Sequence, residues 1–373
     1  MAELNALTVA TKRFIRKTPE LIDMVFNGGP LAAYAKQTLR ENFDGGRFIG
    51  ENFLYDGMVG GFYQKGKEFD ISEPQVEQEL QFNMKFIESN VTMTKEDVQV
   101  LNKGSNAAFR LIDGRTRNAY MTLGAQIELA MYLNGIRANF TPLFNGLAEA
   151  LNDNVTASWD NNTYAQYGTI TRGGAVGTVL NSGPLDVNGT IEYTGANGLE
   201  EGYAASSYGP EEWEPNVGVT TYFGYSFIKE KFQTQQRFND TQDPKIGFNG
   251  LKFNTATLMR SRYAPGAYLF GNNGTDDPIA VTFMSQSSNG ALVAYPAPVG
   301  GYPAVGTFSE TLFWINARTP FMNFYVSDDP EFGFGFTGFK PGQGNTKIAG
   351  QVLASCAVTF APRYHKQYYR ITG

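Results

Sequence analysis

Cysteine and histidine each occur once, as Cys356 and His365, and that scarcity removes much of the chemistry available to a chain of 373 residues. A single cysteine excludes an intrachain disulfide framework and fits a reducing compartment. A single histidine excludes histidine metal clusters and makes any Ser/His/Asp triad depend on one residue near the C-terminus. His365 lies in the polar stretch Arg363-Tyr-His-Lys366, where a solvated surface position is expected. Charged residues are only 18% of the chain and the net charge is −6, so no basic surface advertises nucleic-acid binding. No apolar run is long enough to span a bilayer. The first 17 residues carry Lys12, Arg13, Arg16 and Lys17 but no apolar core, so they do not read as a secretory signal. A soluble intracellular product is expected, and triplets such as Asn139-Phe-Thr141 and Asn188-Gly-Thr190 are not read as glycan sites.

Motifs that carry chemistry are equally sparse. Gly333-Phe-Gly335-Phe-Thr-Gly338 has the letters of a dinucleotide fingerprint, but Lys340-Pro341-Gly342 follows it instead of a helix, so it reads as an aromatic–glycine strand or turn. Gly173-Gly-Ala-Val-Gly177 lacks the Lys-Ser/Thr of a phosphate loop and reads as a flexible loop. Asp276-Asp277 and Asp328-Asp329 adjoin prolines and read as turns, not as an acid–base pair. Cys356 falls in the alternation Val352, Ala354, Cys356, Val358, Phe360, a small buried hydrophobe. No catalytic residue, cofactor or metal is expected.

Glycine (42 residues) and aromatics (14%) are plentiful, a mixture that suits strands, turns and extended contact surfaces. The stretch that organises the chain is Ser105–Leu133, predicted as one long amphipathic helix. Ala108, Ile112, Ala119, Leu123, Ile127 and Ala130 share a face at steps of three, four or seven. Asn134-Gly135 supplies a stop, and the rod would be roughly 43 Å long. Its second half is apolar almost all round, with Gln126 and Glu128 as exceptions.

Ahead of this spine, residues 1–45 read as an arm with two short helices, one after Thr18-Pro19 and one from Leu31 to about Arg40. Residues 46–88 read as a long two-stranded ribbon. Leu80, Phe82, Met84 and Phe86 alternate with polar residues on the descending strand, and a glycine-spotted tip spans 57–74. A lone ribbon is marginal in water and would expose an apolar patch. Either another subunit covers it or it folds back on its own domain. Asn90–Met93 reads as a short strand. After the spine come a short helix at 147–151, then loops and short strands over 152–216. Beyond 217 the runs 251–253, 279–283, 312–315 and 352–360 are strand-like.

This order of parts resembles the major capsid proteins of tailed phages, the Hong Kong 97-like fold, an α+β architecture. Gly45-Gly46-Arg47, Leu80–Lys85, Phe144-Asn-Gly-Leu147, Tyr167-Gly-Thr-Ile-Thr-Arg172, Gly247-Phe-Asn-Gly-Leu-Lys-Phe253, Tyr268-Leu-Phe-Gly-Asn272 and Ala361-Pro-Arg363 follow the family's order, although Thr169 stands where a further glycine is expected. The resemblance implies an N-terminal arm (1–45), an extended loop (46–88), a peripheral domain (89–139 and 336–373) and an axial domain (140–335) with an insertion at about 177–210. It implies hexamers and pentamers closing an icosahedral shell around double-stranded DNA. Arg47, Phe48, Phe53, Tyr55, Phe62, Tyr63, Lys65, Lys67, Phe69, Leu80, Phe82 and Met84 would then meet neighbouring subunits. Portal, scaffolding and decoration proteins are the implied further partners, DNA would lie inside without specific recognition, and the chain would reside in the virion after assembly in the host cytoplasm. Some members weld a lysine to an asparagine; Lys65 or Lys67 is the available lysine, and an unwelded monomer band is the expectation.

Two other classes compete. Another β-rich virion or tail protein, such as a jelly roll, would not contain the spine helix. An aromatic-lined carbohydrate hydrolase would need two facing carboxylates, and no such pair is legible.

Overall fold

A computed structural model describes residues 29–66, 68, 72–96, 105–135, 143–160, 162–209, 213–233, 240–242, 249–266, 310–330, 332–341 and 346–372. The helix expected after Thr18, the strand expected at 279–283, and Lys67 and Phe69 lie outside these residues.

Helix α1 (Pro30–Thr38) starts with proline in its first turn, where no intrahelical N–H is needed. It runs into strand β1 (Arg40–Phe43). Strands β2 (Ile49–Leu54) and β3 (Glu77–Phe82) form the ribbon, and β4 (Lys85–Thr94) follows. The spine is α2 (Ser105–Tyr132), one residue shorter than expected. Next come α3 (Leu147–Ala150), the short pair β5 (Gln166–Tyr167) and β6 (Ile170–Thr171), α4 (Gly174–Thr178), β7 (Leu185–Thr190) and α5 (Leu199–Ala205). The rest comprises β8 (Val217–Thr220), α6 (Tyr222–Gln233), β9 (Asp240–Gln242), β10 (Asn249–Phe253), β11 (Ala256–Arg260), β12 (Glu310–Ile315), β13 (Met322–Ser327), β14 (Gly333–Phe336), β15 (Lys340–Pro341), β16 (Lys347–Phe360) and β17 (Lys366–Thr372).

Two sheets carry the fold. The first is ordered β1-β13-β16-β14, with β4 and β15 also paired to β16. Strand β16 is its axis: β4 pairs along Lys347–Cys356 and β13 along Cys356–Phe360, both antiparallel. The spine crosses this sheet. Ala119, Leu123, Ile127 and Ala130 are buried on the expected face, together with Val91 and Met93 of β4 and Ile348 and Val352 of β16. Arg115 on the spine donates to the Thr92 carbonyl at 2.6 Å.

The second sheet is ordered β7-β17-β12-β8-β11-β10-β9. All six residues of β12 are buried, because both faces of the sheet are covered. Phe313 and Ile315 belong to the large core, where Phe313 meets Tyr132 of the spine at 5.5 Å. Leu312 and Trp314 face a smaller core closed by Leu199, Tyr203 and Ile228.

Several expectations need correction. Within the expected arm, residues 30–43 lie on their own chain: Leu31, Ala32, Ala33 and Ala35 are buried, and β1 pairs in parallel with β13. The strand expected at Asn90–Met93 is ten residues long and includes Phe86, so Met84 and Phe86 do not extend the ribbon. Within the loops and short strands expected over 152–216, β7 is such a strand and adds an edge to the second sheet beside β17, whereas the helix α5, which covers Trp314, was not expected. The glycine loop at 173–177 closes into α4, where a Cβ on Gly177 would lie 2.5 Å from the Thr171 carbonyl oxygen. Helix α6, in the part of the chain where only strand-like runs were expected, has no counterpart among the expected elements. The sheets also divide the chain differently from its sequence order, since β13 joins the first sheet and β17 the second.

Candidate assembly site

The ribbon is its own two-stranded sheet, antiparallel from Ile49↔Phe82 to Leu54↔Glu77, and pairs with neither large sheet. Its root is nevertheless held by its own chain. Ile49, Leu80 and Phe82 are buried, and Phe82 meets Tyr167 edge-on at 5.3 Å. Gly168 takes φ +56° beneath them, and a Cβ there would sit 3.3 Å from both Leu80 and Phe82, so glycine allows this close approach. From β2, the Glu51 carboxylate accepts from Asn323 Nδ2 (3.0 Å), Tyr325 OH (3.1 Å) and the Thr359 hydroxyl, tying the root to the first sheet. Of the two readings left open for 46–88, the root follows the one in which the ribbon folds back on its own domain.

Past Leu54 the situation reverses. Leu54 is 67% exposed, Met58 is 71% exposed and Phe62 is fully exposed, with Val59 and Tyr63 exposed beside them. Among the expected interface residues, Arg47, Phe48, Phe62, Tyr63 and Lys65 are exposed, while Phe53, Tyr55 and Met84 are half-buried. Tyr55 donates to the Gln75 carbonyl across the ribbon. Leu80 and Phe82 are buried within the chain itself.

Three buried polar residues fix the body that carries the ribbon, and none was singled out as such from sequence. Glu128, on the spine, is fully buried and accepts from the backbone N–H of Leu31 (3.4 Å) and Ala32 (2.6 Å), from Tyr132 OH (3.0 Å) and from Ser261 Oγ (3.0 Å). Burial pushes its carboxyl above the usual range, and the donors work in the opposite direction. A carboxylate at the start of α1 also answers the unpaired amides and positive end of that helix.

Arg172, from the motif at 167–172, spreads its guanidinium over five carbonyls: Tyr164, Gln166, Leu180, Glu149 and Ala150, at 2.7–3.4 Å. The Glu149 carboxyl beside it, buried and accepting from Asn145 Nδ2, is pushed up to about 7.

His365 is buried, contrary to the surface position expected. Its Nδ1 accepts from the Asn316 N–H at 3.0 Å, so Nε2 carries the proton and donates to the Phe321 carbonyl at 3.0 Å. Both nitrogens are satisfied in the neutral ring, and burial pushes its pKa down to about 4. Cys356 is buried on β16, with its thiol pushed well up by burial. Among the described residues no cluster of three His, Cys, Asp or Glu could hold a metal ion, and no helix is long and apolar enough to cross a membrane.

No protein-family model and no curated protein matches the chain. Solved structures do. The Cyanophage A-1(L) capsid subunit is similar over 92% of each chain, with a TM-score of 0.56 at 11% identity. The holo-SrpI encapsulin complex from Synechococcus elongatus PCC 7942 gives 0.53 at 8% identity, over 90% of this chain and 86% of that one. The capsid of an empty GTA particle gives 0.50 at 8% identity, over 91% and 90%. The chain has the Hong Kong 97-like capsid fold. The likeness extends over about nine-tenths of the chain. At such identities it is the order and packing of elements that is shared, not side chains. The Hong Kong 97-like frame is therefore held here by this chain's own contacts, with Glu128, Arg172 and His365 among them.

Proposed function

We propose that this chain is a major capsid protein that self-assembles as hexamers and pentamers into an icosahedral shell enclosing phage double-stranded DNA. It is a structural subunit of the virion and not an enzyme. The observation that carries this reading is the exposed apolar end of the ribbon, on a fold shared with shell-forming proteins. Covering Leu54, Met58 and Phe62 is worth roughly 2 kcal/mol each before ordering costs. Repeated around a ring, such a contact is heterologous and closes by rotation.

In this reading the first sheet and the spine form the peripheral domain, and the second sheet forms the axial domain with the 177–210 addition on its edge. The ribbon is the extended loop, which together with the N-terminal arm clasps neighbouring subunits. The net charge of −6 suits a lining that does not bind packaged DNA tightly. Portal, scaffolding and decoration proteins would be its further partners, with assembly in the host cytoplasm. Negative-stain microscopy of the purified protein tests the reading: closed shells or tubes are expected, and a monodisperse monomer under all assembly conditions would overturn it.

A further inference from the structure

A groove of roughly 590 Å³ opens between the ribbon root and the body. Phe53 and Leu80 form its ribbon side. Its opposite wall is aromatic: Trp213, 40% exposed, meets Phe321 at 5.6 Å and Tyr364 at 5.7 Å, and those two rings lie 4.3 Å apart. Two guanidinium groups belong to this apolar wall. Arg318 donates to the Glu214 carbonyl at 2.9 Å, and the exposed Arg363 lies 4.5 Å over the Tyr208 ring.

The complementary object is on the same chain. The far half of the ribbon presents Leu54, Met58, Val59 and Phe62 to solvent. Its exposed charges are mostly acidic: Asp56, Glu68 and Glu73, against Lys65 among the described residues. Leu54 stands at the rim of its own groove, yet Phe62 eight residues on is fully exposed, so a chain's own tip does not fill it. Apolar groups flanked by carboxylates match an aromatic wall that carries two arginines, both by burial and by sign.

We propose that the groove walled by Trp213, Phe321, Tyr364, Arg318 and Arg363 receives the ribbon tip of the next copy of this chain. The proposal rests on the shell-forming reading and adds the receiving surface to it.

Disulfide trapping tests it. Met58→Cys is combined with Val179→Cys, which lines the groove, and in a comparator with Met121→Cys, on the exposed side of the spine. The native Cys356 is buried and stays silent. Assembled particles are oxidised and run on a non-reducing denaturing gel. A ladder of multimers from the Val179 pair, with monomer from the comparator, is expected. A ladder from the comparator alone, an intrachain link in the Val179 pair, or no link in either overturns the groove assignment while the particles themselves remain. Failure of the unsubstituted protein to form particles overturns the shell reading instead. As a second measurement, Arg363→Glu should lower particle yield at least tenfold, and adding Asp56→Lys should restore it; an unchanged yield with Arg363→Glu overturns the assignment.

Discussion

The backbone N–H of Ala32 donates to the carboxylate of Glu128, 96 residues further along the chain, at 2.6 Å. This bond and its 3.4 Å companion from Leu31 join the start of α1 to the middle of the spine, while Ser261 brings in the end of β11. A Cβ on Gly29 would lie 2.3 Å from the Glu128 side chain, so the approach leaves no room for a larger residue. Glu128→Ala leaves two buried amides without acceptors and is expected to cost roughly 3 kcal/mol. Glu128→Gln keeps one accepting oxygen and should cost about half of that. Urea unfolding of the unassembled subunit reads both, and a loss under 1 kcal/mol for the alanine variant contradicts the junction's role.

Arg172 and a lysine in its place are not equivalent. Burial lowers the Arg172 pKa to about 10, yet the group remains a cation at neutral pH. Its fork reaches the carbonyls of Tyr164 just before β5, of Gln166 within β5, and of Glu149 and Ala150 at the end of α3. A lysine ammonium keeps the charge but has three donors on one atom. Arg172→Lys is therefore expected to destabilise the subunit by roughly 3 kcal/mol and to lower the melting temperature by several degrees. A melting curve that matches wild type would show that the charge alone suffices.

His365 and Glu149 pull the pH dependence of stability in opposite directions. Below 6.5 the unfolded chain takes up a histidine proton that the fold refuses until about pH 4, so His365 makes stability rise with pH across that window. The fold keeps a proton on Glu149 up to about pH 7 that the unfolded chain releases near 4.5, so Glu149 makes stability fall as pH rises. Each slope approaches about 1.4 kcal/mol per pH unit, and between 4.5 and 6.5 they offset each other. Relative to wild type, His365→Gln should lose stability as pH rises and Glu149→Gln should gain it, measured by urea unfolding at pH 4.5, 5.5 and 6.5. Slopes of the same sign in the two variants contradict the assignments.

The parts of the fold legible in the sequence were those whose signal is periodic and local. The spine follows from Ala119, Leu123, Ile127 and Ala130 on one face, and β12 and β16 follow from their apolar runs. Helix α6 escaped because Tyr222, Phe223, Tyr225 and Phe227 are residues that favour strands, and packing of Ile228 against the second sheet overrides that preference. His365 was misplaced because its neighbours Arg363 and Lys366 are charged, whereas the donor and the acceptor that hold its ring come from residues 316 and 321 respectively. Glu128 stood out as a carboxylate in an apolar stretch, but its partners at 31, 32 and 261 are a tertiary fact. The ribbon's alternation was visible as well. That its root rests on Tyr167 and Gly168 while its tip stays exposed depends on where β5 and β6 are carried, which no local pattern records.

Everything functional turns on the exposed stretch from Leu54 to Tyr63 being covered by another copy. Hydrogen exchange on that stretch, before and after assembly, tests this most directly. Rapid exchange in the free subunit and slow exchange in the particle are expected, with the root around Leu80 and Phe82 protected in both states. Equally rapid exchange at 54–63 in assembled particles would contradict the claim that the ribbon tip is an assembly surface.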